Sequence, residues 1–103
     1  MVNRIVRYSL LAIQDFKSIY NSIAKDSPFY AKKEIQFIKG KIKVLSANSL
    51  AGKKLQTLLM TDYRELVVKH YRVFYSVEDK FIDVLSIQHG NRDDKSNDLF
   101  KNP

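Results

Sequence analysis

Apolar positions along the chain alternate loosely at first, then settle into two helical periods, then alternate again. Residues 3 to 8 (Asn3-Arg4-Ile5-Val6-Arg7-Tyr8) are rich in β-formers and predict a short strand ending at Ser9, a residue suited to capping a helix. From Leu10 onward, Ala12, Phe16, Ile19 and Ile23 recur at spacings of four, three and four residues. That period sets them on one helical face to about Lys25, with Gln14, Asp15, Lys17 and Asn21 turned outward. Asp26-Ser27-Pro28 both stops this helix and starts another, because serine caps orphan amides and proline suits the first helical position. In the second helix Ala31, Ile35, Ile38, Ile42 and Leu45 form the cleanest stripe in the chain. Lys32, Lys33, Lys39, Lys41 and Lys43 lie off it. Gly40 weakens that helix modestly without breaking the period.

Between Ser46 and Gly52 small, turn-forming residues predict a linker that crosses back through Lys53-Lys54. Three strand-like runs follow: Tyr63 to Val68, Tyr71 to Val77 and Phe81 to His89. The breaks between them, Lys69-His70 and Glu78-Asp79-Lys80, are short enough for antiparallel hairpins, so the runs predict a meander. After Asp93 the composition turns polar, and Leu99 to Pro103 read as a short helical turn or a tail. An N-terminal strand, a two-helix hairpin and a three-stranded antiparallel meander make an α+β fold, with the helices on one side of the sheet and its other face partly free. At 103 residues the chain fits a single domain, residues 1 to 103, with one core.

Charge narrows the partners. Lysine and arginine number 18 against 11 acids, a formal net charge of +7, which suits nucleic acid, a nucleic-acid-handling complex or an acidic protein. Simple solubility explains such a charge equally well. With no cysteine and two well-separated histidines, neither thiol chemistry nor a metal centre is expected, and no cofactor is called for. Met1 to Arg7 carries no apolar run of signal length, and no stretch approaches the roughly 20 apolar residues that span a bilayer, so the expected place is the cytoplasm, away from membranes.

Two clusters carry the candidate chemistry. Arg72 sits inside the aromatic run Tyr71-Arg72-Val73-Phe74-Tyr75, on the same side as Phe74 and opposite Tyr71, Val73 and Tyr75. Its planar fork suits a phosphate or carboxylate, while a cross-strand ion pair to Glu65 or Asp83 is the weightier explanation on chemistry alone. His89 and Arg92 follow the last strand, where binding groups gather on a rigid scaffold. The histidine suits proton transfer near neutral pH, or Asp93 or Asp94 pairs with Arg92 and ties the chain end down. Arg64 joins these as a candidate contact, and Lys53 and Lys54 form a basic step in the crossing loop. No set of nucleophile, base and orienter and no glycine-rich phosphate loop is present.

The run Tyr63-Arg64-Glu65-Leu66-Val67-Val68-Lys69-His70-Tyr71-Arg72-Val73-Phe74-Tyr75, an acidic turn, and Val84-Leu85-Ser86-Ile87-Gln88-His89-Gly90-Asn91-Arg92-Asp93 together resemble the toxin signature of the RelE/ParE superfamily. The helical hairpin ahead of them agrees, so the resemblance runs from the first strand to Asp93. It implies a bacterial type II toxin that is neutralised in a hetero-oligomer by a small antitoxin wrapping its sheet and helices. Two activities divide the superfamily. ParE-like members poison DNA gyrase, whereas RelE-like members cut messenger RNA on the ribosome with several lysines and arginines, often with a tyrosine.

Arg72 matches the arginine of the aromatic strand and Arg92 a cation after the last strand. The paired lysines of the preceding strand have no counterpart, since Tyr63 and Glu65 stand there. Ribosome-dependent relatives with a carboxylate and histidine end in a histidine-tyrosine pair, and here Gly90 follows His89. The motifs lie closer to the ParE side, which implies a plasmid-stabilising gyrase poison that is not a nuclease. The second expectation is a ribosome-dependent endoribonuclease using Glu65, Arg72, His89 and Arg92, and the third an inactive relic that only binds. Under the first, Arg64, Arg72, His89 and Arg92 are the target-binding candidates.

Overall fold

A computed structural model describes residues 3–90 of the chain. Five strands and two helices appear in the order β1 (Ile5–Tyr8), α1 (Leu10–Ala24), α2 (Pro28–Lys43), β2 (Lys53–Lys54), β3 (Asp62–Val68), β4 (Tyr71–Val77) and β5 (Phe81–His89), with a 3₁₀ turn at Val44–Ser46 after α2. The caps form where the sequence places them. Ser9 Oγ accepts from the Ala12 amide at 3.0 Å, and Ser27 Oγ accepts from the Tyr30 amide at 3.2 Å with Pro28 opening α2. Lys41 and Lys43 occupy the last turn of α2, where cations complement the exposed carbonyls.

The sheet order is β1-β5-β4-β3-β2. β3, β4 and β5 form the expected antiparallel meander, and β1 closes the far edge parallel to β5, so the sheet is mixed. Two details depart from the sequence-based expectation. The first strand starts at Ile5 because the Arg4 amide and carbonyl are tied instead to Ser46. Lys53 and Lys54 are not loop residues; they form a two-residue strand on β3, opposite Glu65 and Arg64. The C-terminal turn expected at Leu99 to Pro103 lies outside the described residues.

One face of the sheet carries the core. Ala12 and Phe16 of α1 and Ile38 and Ile42 of α2, with Leu45, pack on Val68, Tyr71, Val73, Tyr75, Ile82, Val84 and Ile87. This is the i, i+4 stripe of each helix against alternate residues of each strand. β5 is longer than its neighbour β1, whose pairing stops at Tyr8 opposite Val84. Helix α1 covers the remaining edge: Ser9 Oγ donates to the Leu85 carbonyl at 2.8 Å, and the Asp15 carboxylate accepts the Ile87 amide at 2.9 Å. Edge groups that would otherwise offer themselves to another chain are thereby satisfied.

The pairing of β4 with β5 slips by one residue, from Tyr75 opposite Val84 to Phe74 opposite Ser86, leaving Leu85 as a bulge. That slip moves Ile87 and His89 onto the helix-covered face. The opposite face is less open than expected: Glu65, Phe74, Ser76 and Ser86 are all buried.

Candidate functional site

Glu65 and Arg72 meet on the sheet face away from the helices. Glu65 stands opposite Phe74 and Arg72 opposite Val67, so the two are diagonal neighbours within side-chain reach. Arg72 Nη1 donates to Glu65 Oε2 in an ion pair whose carboxylate side chain is 7% exposed and whose arginine side chain is 26% exposed. Asp83, the other partner considered for Arg72, lies directly across from Arg7 and takes both arms of that guanidinium, at 2.7 and 2.9 Å. The stem of Arg72 is covered by the Gly90 backbone. A Cβ at position 90 would lie 2.7 Å from Arg72 Cγ, so a larger residue there would have to displace the Arg72 side chain. Arg72 Nε is buried with no hydrogen-bond partner among the described residues. Lys53, paired with Glu65 across β2 and β3, projects to the same face.

Arg64 points to the other side, where Tyr75 faces it across the strands. Its Nε donates to Asp62 at 3.0 Å and its Nη1 to the Gly52 carbonyl at 3.0 Å. The Tyr75 hydroxyl accepts from the Gly52 amide at 2.8 Å and donates to the Ser49 carbonyl at 2.9 Å. Arg64 and Tyr75 thus fasten the segment 49–54 onto the sheet.

The third cluster lines an open groove of about 930 Å³ between the helical hairpin and the β3–β4 turn. His70, Tyr71 and His89 pack ring to ring, with centroids 4.9 to 5.3 Å apart. Lys69 Nζ donates to Glu34 Oε1 at 2.8 Å and lies 4.3 Å from the Phe37 ring centroid. Lys69 also holds φ at 56°, in the left-handed region that a two-residue hairpin turn demands and that favours glycine or asparagine. A lysine accepting that backbone gains the Glu34 and Phe37 contacts in return.

Burial raises the Tyr71 phenol above its ordinary pKa, and the neighbouring Glu34 carboxylate, which accepts its hydrogen bond, raises it further. Burial likewise raises Tyr8, and it raises Tyr75 against the smaller opposing pull of the Gly52 amide. Since folded values exceed the unfolded value of about 10, the folded state holds these protons more tightly. Their stabilising contribution is complete below pH 10 and is lost as pH rises through the folded values. The urea midpoint is expected to fall above pH 10, and more shallowly in Tyr8→Phe and Tyr71→Phe; an unchanged slope in both variants would show that these phenols play no part.

Helix α2 carries a second stripe that the sequence pattern did not single out. Tyr30, Lys33, Phe37, Lys41 and Val44 follow one another at three or four residues, apart from the core stripe. Phe29, Tyr30, Phe37 and Val44 are exposed. Lys33 stands 5.1 Å from the Phe29 ring centroid and Lys41 5.4 Å from that of Phe37, an i, i+4 pairing of aromatic and cation that was legible in the sequence. Beyond Phe37 and Lys69 a second groove of about 310 Å³ continues between α2 and β3, floored by Leu45, Leu66 and Val68.

The structure therefore divides the sequence candidates. Glu65 and Arg72 lie together with Lys53 on one face, His89 lies on the other, Arg64 fastens a loop, and Arg92 lies outside the described residues. Among the described residues no group of histidines and carboxylates could hold a metal, and no helix is long and apolar enough to cross a membrane.

Comparison with known proteins adds to this geometry. The family model for the ParE toxin of the type II toxin-antitoxin system parDE matches residues 6–94. Among solved structures, the chromosomal ParDE toxin-antitoxin system from P. aeruginosa is similar over 85% of this chain and 97% of that one, at 24% identity and a TM-score of 0.73. The YoeB dimer from Staphylococcus aureus is similar over 84% and 95%, at 22% identity and a TM-score of 0.60. The RelBE2 toxin-antitoxin complex from Mycobacterium tuberculosis covers 85% and 99%, at 24% identity and a TM-score of 0.55. These likenesses show a shared fold. No curated protein sequence matches the chain.

Proposed function

The chain belongs to the ParE toxin family of type II toxin-antitoxin systems, and from that premise we propose that it arrests growth in the cytoplasm by poisoning DNA gyrase and is held silent by a cognate antitoxin. The observation that carries the choice of gyrase is the separation of Glu65 and Arg72 from His89. Metal-independent RNA cleavage needs a base for the 2′-hydroxyl, a cation for the phosphate and an acid for the leaving oxygen within one substrate's reach. Here Glu65 and Arg72 bind each other, and the sheet stands between them and His89.

The antitoxin partner finds support in the exposed aromatic and lysine stripe of α2. Tyr30 to Val44 spans roughly 20 Å at 1.5 Å per residue. Two grooves lie alongside it, with apolar floors and lysines at their rims. An amphipathic segment with acidic flanks, folding as it binds, complements such a surface in both charge and shape.

One observation favours a second reading, the ribosome-dependent endoribonuclease. Lys53, Glu65 and Arg72 share a face across three adjacent strands, which sets one lysine beside the ion pair although the paired lysines of the preceding strand still have no counterpart. A paired assay decides. Purified protein is expected to lower supercoiling by purified gyrase or to accumulate cleavage complexes, and to leave ribosome-bound message intact. Cut message with untouched gyrase would overturn the proposal in favour of the nuclease, and normal growth at confirmed soluble expression would favour a relic.

A further inference from the structure

Three large apolar residues stand together in water at the turn between β2 and β3. Leu58 and Met60 are fully exposed and Leu59 is 63% exposed. Scattered surface leucines are ordinary, but consecutive ones at the tip of a loop form a patch that water disfavours. The loop has some local order. The Leu59 amide donates to Thr57 Oγ1 at 3.2 Å, and both ends continue into β2 and β3, so the tip is carried on the sheet.

Charge within the loop has one sign, although the Glu78-Asp79 turn leaves the same end of the sheet, after Val77 opposite Asp62. From Ala51 to Thr61 the sequence contains Lys53 and Lys54, both exposed, and no acid. Asp62, the first carboxylate reached, is paired with Arg64. The tip is also remote from the α2 grooves. They meet β3 at Leu66 to Val68, whereas the loop enters it at Asp62, about 14 to 20 Å away at 3.4 Å per residue. A partner confined to the α2 grooves need not reach the tip, although the second groove extends to Ala51, just ahead of β2.

We propose that Leu58, Leu59 and Met60 form the plug by which this toxin seats in an apolar, carboxylate-rimmed pocket of its protein target, with Lys53 and Lys54 meeting the rim. The inference rests on the reading that the target is a protein, gyrase, and it assigns the contact to a surface separate from that of the antitoxin. Apolar side chains buried in such a pocket carry much of a docking energy, and charges at the rim govern encounter.

The test replaces all three residues by serine in the full chain, with Met60→Glu as a second variant. Neither change touches the core, so melting temperatures should match wild type. The protein concentration that half-inhibits supercoiling by purified gyrase is expected to rise about 100-fold, the scale on which buried anchors act, and growth arrest on induction should disappear. Lys53→Glu together with Lys54→Glu is expected to weaken inhibition, with the largest effect at low salt. Triple-serine protein that inhibits as wild type does would overturn the plug and leave the gyrase proposal standing. Wild-type protein that leaves gyrase untouched overturns the gyrase proposal instead. The plug is then judged on growth, where a triple-serine variant as toxic as wild type would overturn it and a harmless one would support it.

Discussion

Arg72→Ala is expected to lower stability by about 3 kcal/mol, and Glu65→Ala by only about half as much. Removing one member of a buried ion pair leaves the other charge without compensation, at about 3–5 kcal/mol when the survivor is fully buried. The two survivors differ here. In the intact pair the Glu65 carboxylate is the more deeply placed, 7% exposed, and loses its counter-charge without Arg72, whereas without Glu65 the Arg72 guanidinium, 26% exposed, can turn toward water. Urea unfolding at constant m-value measures both.

The double variant Glu65→Leu/Arg72→Met replaces charge by apolar volume and is expected to recover most of the lost midpoint, because neither charge remains buried. Growth assays then separate structure from contact. With Arg72 engaged through Nη1 by Glu65 inside the molecule, the recovered double variant should still arrest growth. A stable but harmless double variant would place Arg72 against the target.

Much of this arrangement was legible in the sequence, and the parts that were not share a cause. The helices followed from apolar residues spaced by three and four and from the caps at Ser9 and Ser27, all local signals. Tyr71–Val77 and Phe81–His89 have the bounds expected from the sequence, because each run of β-formers is closed by a short polar break. The partner of Arg72 could be narrowed to Glu65 or Asp83, but only the register, with Arg7 opposite Asp83, chooses between them. Alternation counted from Phe81 would set His89 on the side of Asp83. The bulge at Leu85 reverses that parity and delivers His89 to the helix-covered face. A bulge leaves no mark in a run such as Val84-Leu85-Ser86-Ile87. Lys53-Lys54 likewise has no strand signature of its own; it pairs because Gly52 is held by residues of β3 and β4.

That hold makes Gly52→Ala the other substitution with a large expected effect. A Cβ at position 52 would sit 2.6 Å from the Tyr75 hydroxyl and 2.8 Å from the Glu65 carbonyl, and the second of these is backbone inside the sheet. The segment must move off, losing the Gly52 amide bond to Tyr75 and the Arg64 bond to the Gly52 carbonyl. Overpacking of this kind costs about 1–3 kcal/mol and a lost hydrogen bond about 1 more, so a loss of about 3 kcal/mol is expected. Tyr75→Phe removes the hydroxyl that serves both the Gly52 amide and the Ser49 carbonyl, at about 2 kcal/mol for the groups left unpaired. Because the two substitutions break the same bond, and the second removes one of the colliding atoms, the double variant should lose clearly less than the sum. Strict additivity in a double-mutant cycle would mean that Tyr75 is not what holds β2 in place. The same cycle bears on function, since β2 carries Lys53 and leads into the Leu58 to Met60 tip. Gly52→Ala, assayed at a temperature where it remains folded, should inhibit gyrase less well than its residual stability alone would allow.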